Sequence, residues 1–268
     1  MRRERNPWLS AYALLVYAFL FAPIVVLIIF SFNDARRGLV WRGFTLEWYP
    51  RLFSNDELLD ALVVTLEVAV VAVLVSTVLG TLLGLGLARM RFRGRGATET
   101  LLLVPMVTPE IVMGLALLLF FLQLFDAHGS VGQLWVAHIT FCVSYVAVVV
   151  RARASSMNPQ LEEAARDLGA SAWGAFRYVT LPIILPAVIA GALLAFSLSF
   201  DDYVVTTFNA GVGSSTLPLY IYGAIKFGVT PEINAISTII VAVTAVAILI
   251  AWRFGAFRTE AERPVTET

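Results

Sequence analysis

Residues 160–186, from Gln160 to Pro186, read QLEEAARDLGASAWGAFRYVTLPIILP and form a polar break between two long apolar runs. Leu161, Ala164, Ala165 and Leu168 recur at i, i+3, i+4 and i+7, the spacing of one apolar helix face. Asn158 supplies an N-cap and Pro159 a first-turn proline. Glu162 precedes Arg166 by one helical turn, the favourable order for an ion pair along a helix. Gly169 stands where a helix stop needs a left-handed residue, which glycine adopts without steric penalty. Ser171 caps a second short turn bearing Trp173 and Phe176, and Leu181-Pro182 closes the unit where the next apolar run begins. The stretch therefore predicts a rigid helix–turn–helix outside the bilayer, tied at both ends to membrane-spanning helices. Its small apolar knuckle of Ala164, Ala165 and Gly169 suits two roles. One is docking into a groove of another protein, and the other is lying at the membrane surface as an amphipathic connector.

Composition excludes most other classes. The chain has 268 residues, of which 59% are hydrophobic and 14% charged, and its mean hydropathy is +0.82. That is far too apolar for an ordinary soluble domain. A formal net charge of zero gives no argument for nucleic acid. Cys142 is the single cysteine, so neither an intramolecular disulfide nor a cysteine zinc site is expected. His128 and His138 are the only histidines, and His138 is expected to be a hydrogen-bonded group within the helix bundle. No phosphate-binding glycine loop and no nucleophile or metalloprotease motif occurs. An enzyme is not expected, and any energy source has to come from another chain.

The apolar runs predict an all-α polytopic membrane protein with about six spans, near 8–32, 61–88, 100–124, 131–150, 183–206 and 232–252, with a loop over 151–182. The whole chain is read as one transmembrane domain, because the loops are too short to bury a second core. Arg2, Arg3 and Arg5 precede a first apolar run too long for a signal peptide, which is read as a retained helix. Phe44 to Tyr49 suggests a short interfacial helix, with Trp41, Trp48 and Tyr49 at the membrane–water boundary. Ser76, Gly80, Gly84 and Ala88 form a small-residue stripe in the second span, and Ala187, Gly191, Ala195 and Ser199 form another in the fifth. Pro105, Pro109 and Glu110 interrupt the third span, a feature that often marks a transport pathway.

Lysine and arginine fall mostly on one side. Arg2, Arg3, Arg5, the run Arg89, Arg91, Arg93, Arg95, then Arg151, Arg153, Arg166, Arg177, Arg253, Arg258 and Arg263 share it, against Arg36, Arg37, Arg42, Arg51 and Lys226. The positive-inside rule makes the first side cytoplasmic, with both termini and the 151–182 loop.

Glu163-Ala164-Ala165, Gly169 and Val179-Thr180-Leu181-Pro182 together resemble the EAA loop of ABC importer permeases, E-A-A-x3-G-x9-I-x-L-P, with Val179 in place of isoleucine. In that family the loop is the coupling helix that fits into the ATPase subunit. The resemblance therefore implies that Glu162, Glu163, Ala164, Ala165, Gly169, Leu181 and Pro182 form the ATPase-coupling element. Further likeness is carried by Ser199-Phe200-Asp201-Asp202-Tyr203-Val204, Thr216-Leu217-Pro218-Leu219 and Pro231-Glu232-Ile233-Asn234-Ala235. These are most similar to the second permease of polyamine (spermidine/putrescine) importers of bacterial inner membranes. The resemblance implies a heterodimer of permeases, two ATPase subunits carrying ATP and Mg, an extracytoplasmic binding protein and no cofactor on this chain.

Carboxylates in the spans agree with a cationic cargo. An ionised Asp inside a bilayer costs roughly 2.5–3.5 kcal/mol on insertion scales, so such groups usually have a function. Glu110 is expected about ten residues, or roughly 15 Å, into the third span, near the midplane. Asp201 and Asp202 end the fifth. Asp201, Asp202 and Glu110 are read as substrate-pathway residues; a competing reading for Asp202, which shares a face with Ala195 and Ser199, is a hydrogen bond within the packing, with Asp201 turned about 100° away from it. Glu67 is read as a boundary residue. Two other readings remain open at this point: the same machine carrying another small solute, and a secondary carrier using Glu110 as a proton or ion site. The structured loop weighs against the carrier.

Overall fold

The structure is a computed structural model that describes residues 7–35, 40–226, 228 and 230–253. In chain order the helices are α1 (Pro7–Phe30), α2 (Trp48–Leu52), α3 (Asp56–Arg89), α4 (Arg95–Val107), α5 (Glu110–Phe125) and α6 (Val131–Ser156). They continue as α7 (Gln160–Asp167), α8 (Ala172–Ala175), a π-helical turn (Phe176–Thr180), α9 (Leu181–Phe200), α10 (Val204–Asn209), α11 (Leu217–Ile225) and α12 (Pro231–Arg253). Among the described residues, paired extended backbone is limited to one bridge between Asn33 and Phe44. Arg2, Arg3, Arg5, Arg36, Arg37, Arg258 and Arg263, used above to argue orientation, lie outside the described residues.

Among the described residues, four helical stretches are long and apolar enough to cross a membrane: α1, α3, α6 and the continuous run Ala172–Phe200. α4 and α5 together make a fifth, and α12 adds 23 residues. The all-α polytopic fold is thus what the chain forms, with four to five spans by length and composition and α12 as a further apolar helix, roughly the six expected. The third span is not straight, however. It breaks at Thr108 and Pro109, and α5 leaves α4 at an angle of 111°. The ring of Pro109 disfavours the helical region for the residue before it, and Thr108 is extended at φ −69° and ψ 132°. Glu110 therefore opens a new helix instead of lying part-way along one axis, and the depth reckoned for it along a single helix does not hold.

Other boundaries move for equally local reasons. The fifth span ends at Phe200, and Thr206 belongs to α10. At its start the span is helical from Ala172, so Leu181-Pro182 does not mark a break. Pro182 has no N–H for the Tyr178 carbonyl and its ring crowds that carbonyl. The helix stays continuous by widening into a π turn over Phe176–Thr180. The short helix expected over Phe44 to Tyr49 is instead Trp48–Leu52, because Phe44 pairs with Asn33 in the bridge.

Two compact units emerge, and one comprises the described parts of Met1–Asp56 and Ile221–Thr268. In it α1 and α2 each pack on α12. Asn33 organises its loop: the side chain donates to Val40 O (2.9 Å) and accepts from Arg42 N (2.9 Å), and its carbonyl accepts the indole N–H of Trp48 (2.8 Å). Trp48 is buried by that bond and does not sit at a surface.

The other unit, Glu57–Tyr220, is built around α6. Val146 of α6 faces glycines on both neighbours. A Cβ on Gly80 of α3 would come within 2.6 Å of Val146 Cβ, and one on Gly191 of α9 within 3.3 Å of Val146 Cα. The small-residue stripes are therefore the seams at which α3 and α9 approach α6. In lipid such seams are held by van der Waals packing and interhelical hydrogen bonds, not by a hydrophobic drive. α10 packs on α5, and Asn209 Nδ2 donates to Gly114 O (3.1 Å).

Candidate functional site: a carboxylate-lined cavity and an exposed loop helix

Breaking the third span at Pro109 and the fifth at Asp201 leaves a cavity of about 470 Å³ between the two breaks. Its walls carry Glu110, Asp201 and Asp202, together with Met106, Met113, Phe141, Tyr145 and Tyr203. All three carboxylates singled out in the sequence thus converge on one space, Glu110 from the third span and Asp201 and Asp202 from the end of the fifth. That volume lies within the usual range of small-molecule sites, roughly 300–1,000 Å³.

The two adjacent aspartates are used differently. Asp202 has its side chain only 6% exposed, and its carboxylate is occupied. Its carboxylate accepts from Val205 N (3.2 Å), Thr206 N (2.8 Å) and Thr206 Oγ1 (2.8 Å), capping the start of α10. His138 Nε2 lies 3.5 Å from Asp202 Oδ2 and 3.2 Å from Thr206 Oγ1, while its Nδ1 is 2.7 Å from Ser199 Oγ. His138 is fully buried, the bonded core histidine expected from sequence. Asp201, one residue earlier, is exposed and presents its carboxylate to the cavity. Glu110 is exposed at the start of α5, and Glu67 is exposed along α3, apart from the cavity lining.

In the 160–186 stretch, α7 forms as expected. Asn158 Oδ1 accepts from Gln160 N (3.0 Å), and Gly169 is left-handed at φ +90°. Ala170 N then closes on Ala165 O (3.0 Å). Ser171 Oγ accepts from Gly174 N (3.1 Å), and the rings of Trp173 and Phe176 pack 5.4 Å apart. No residue of α7 is buried, and Leu168 is 90% exposed. Glu163, Ala164 and Gly169 are exposed with it, so the apolar knuckle is open for a partner. Leu181 and Pro182 begin α9.

One expected pair does not form. Glu162 turns away from Arg166 and lies 3.7 Å from Arg89, the last residue of α3, while accepting a hydrogen bond from the Thr180 hydroxyl. Both partners lie far along the chain, and a local helix rule gives no access to them. Glu99 of α4 similarly bridges Arg95 (2.9 Å) and Arg151 of α6 (2.8 Å), giving two of the basic-side arginines a structural task.

Residues 76–257 match the family described as binding-protein-dependent transport system inner membrane component. The chain belongs to that family. It is 40% identical to the putrescine transport system permease protein PotI of Escherichia coli over 97% of this chain and 94% of that protein. To the spermidine/putrescine transport system permease protein PotC of Haemophilus influenzae it is 41% identical, over 90% and 93% of the two chains. Its fold is also that of a subunit of a bacterial alginate ABC transporter solved with an alginate-loaded periplasmic protein. That match has a TM-score of 0.71 at 18% identity and covers 95% and 96% of the two chains.

Family membership makes this chain a multi-pass inner-membrane transport subunit that works with a binding protein, and not an enzyme. Sequence reasoning missed the aromatic part of the cavity. Tyr145 follows His138 by two helical turns on α6, so its side of the helix was readable from the histidine. Tyr203 carries no such signal, because its position follows from the break after Phe200.

Proposed function

We propose that this chain is one of two different permease subunits of an ATP-driven importer, and that putrescine or spermidine crosses through its cavity. The observation that carries the proposal is the convergence of Asp201 and Glu110, both exposed, on a single space with aromatic walls. A polyamine alternates ammonium groups with methylene segments. Carboxylates attract the former, at about 4 kcal/mol for unit charges 4 Å apart where the effective dielectric is near 20. Phe141, Tyr145 and Tyr203 line the cavity with aromatic rings, which attract cations, and Met106 and Met113 add adaptable apolar contact for methylenes. Asp202 holds the start of α10 and so keeps Asp201 aimed into the space. The names of the relatives support the same cargo.

In this reading an extracytoplasmic binding protein delivers the polyamine, and two ATPase subunits hydrolyse ATP with Mg on the cytoplasmic side. This chain carries no cofactor of its own and touches lipid but no nucleic acid. α7 is the coupling helix, with Glu163, Ala164, Ala165 and the Gly169 turn meeting the ATPase. The test is uptake of labelled putrescine and spermidine by vesicles containing the assembled transporter, with and without ATP. Uptake should need ATP and the binding protein and should survive a protonophore. ATP-independent uptake abolished by the protonophore would identify a secondary carrier instead. ATP-driven uptake of another solute, with none of polyamines, would keep the machine and remove the cargo.

A further inference from the structure

α7 has no buried residue, so apolar packing does not set its angle to the rest of the chain. Glu162 is partly enclosed, with its side chain 23% exposed, and it reaches two different helical elements. Arg89, on the first of them, is the C-terminal residue of α3, the helix whose Gly80 and Gly84 are pressed against α6. The Nε and an Nη of Arg89 are buried without a hydrogen-bond partner, and the Glu162 carboxylate, 3.7 Å from that Nη, is the opposite charge beside them. Thr180 is the second partner. It is 3% exposed and closes the π turn that feeds directly into α9. α9 then runs without interruption to Phe200, next to Asp201 in the cavity wall. Arg153 Nε adds a bond to Ile183 O (3.0 Å), fastening the start of α9 to the end of α6.

We infer that Glu162 is a positioning residue for coupling: it fixes α7 to α3 through Arg89 and to α9 through Thr180. A displacement of α7 is then passed to the helix that ends at the carboxylate cavity, instead of being lost in rotation of a free loop. The inference rests on the reading of α7 as the ATPase-coupling element. It differs from docking, because Glu162 faces its own chain while Glu163 faces outward. π turns within helices recur at functional sites. This one places the Thr180 hydroxyl where an eight-residue helix can hold it.

The experiment uses the full transporter in proteoliposomes with its binding protein. Co-purification of the ATPase, ATP hydrolysis and polyamine uptake per ATP are measured for Glu162→Ala, Glu162→Gln and Thr180→Val. The ATPase should remain bound in all three. Uptake per ATP should fall about fivefold or more in Glu162→Ala, the lower range of typical coupling effects. Glu162→Gln, which retains the bond from Thr180, and Thr180→Val, which retains the charge, should fall in between. Arg89→Glu combined with Glu162→Arg should recover part of what either change alone loses. An unaltered uptake-to-ATP ratio in assembled Glu162→Ala overturns the inference, and so does loss of ATPase binding in that variant, which would make Glu162 a docking contact. Cross-linking of Ala165→Cys to the ATPase separates the two levels. Its absence sinks the coupling assignment of α7, whereas its presence with an unaltered ratio sinks only the role of Glu162.

Discussion

The carboxylate of Asp202 accepts both the backbone N–H and the hydroxyl of Thr206, each at 2.8 Å. The first N–H groups of a helix have no partner within it, and a side-chain acceptor at that point is worth about 0.5–2 kcal/mol. Here the same carboxylate also neighbours His138, so its removal strands several buried groups. Asp202→Ala should lower folded yield and thermal midpoint in detergent. Asp202→Asn, which keeps one acceptor oxygen, should lower them less. Asp201→Asn should leave both unchanged and reduce polyamine uptake, because Asp201 is exposed in the cavity. Matching effects of the two asparagine variants on yield and on uptake would contradict this division of labour.

The difference between these neighbours was partly legible in the sequence. Helical periodicity set Asp202 on the face of Ala195 and Ser199, and those residues are indeed buried. The small-residue stripes of α3 and α9 were readable too, because close packing of helices in lipid demands small side chains at regular spacing. Gly169 was readable because a left-handed turn is a purely local requirement. Local rules failed where a partner comes from elsewhere in the chain. The i,i+4 rule paired Glu162 with Arg166, yet the carboxylate goes to Arg89 and Thr180. Pro109 announced an interruption, but its 111° bend depends on how α4 and α5 pack afterward. The cavity arises from that bend together with the break after Phe200, so neither segment alone revealed it.

Gly84 and Gly86 flank Leu85, and they should respond differently to alanine. A Cβ on Gly84 would stand 2.7 Å from Ala147 O and 3.0 Å from Arg151 N, both backbone atoms that cannot swing aside. Gly84→Ala must therefore push α3 away from α6, at about 1–3 kcal/mol for overpacking. At Gly86 nothing lies within 4 Å of the added methyl. Gly86→Ala should leave folded yield and thermal midpoint unchanged or slightly raised. Equal responses would show that the α3–α6 seam yields more readily than this packing implies.

The orientation proposed from the arginines is open to a direct check. Reporter fusions after Arg93 and Ala170 should read cytoplasmic, and fusions after Ser54 and Gly213 external. An external signal at Ala170 would place α7 on the side opposite any ATPase and remove the coupling role proposed for it.

Gly169 offers a test in which steric collision plays no part. Its φ is +90°, and a Cβ built there would meet nothing within 4 Å. Any effect of substitution must therefore come from the backbone conformation itself, which costs an L-residue roughly 1–2 kcal/mol. Asparagine tolerates the left-handed region better than most residues, whereas a β-branched side chain is among the worst fitted to it. Gly169→Asn should thus transport nearly as well as the unmodified chain. Gly169→Val should shift the turn, loosen the closure of Ala170 N on Ala165 O, and misplace the exposed face of α7. The valine variant should still insert at normal levels, because Leu168 and Gly169 are exposed and the turn lies outside the long apolar helices. Its ATPase association or polyamine uptake should fall several-fold, measured at equal membrane abundance. Uptake by the valine variant equal to that of the asparagine variant would mean that the geometry of this turn does not govern coupling.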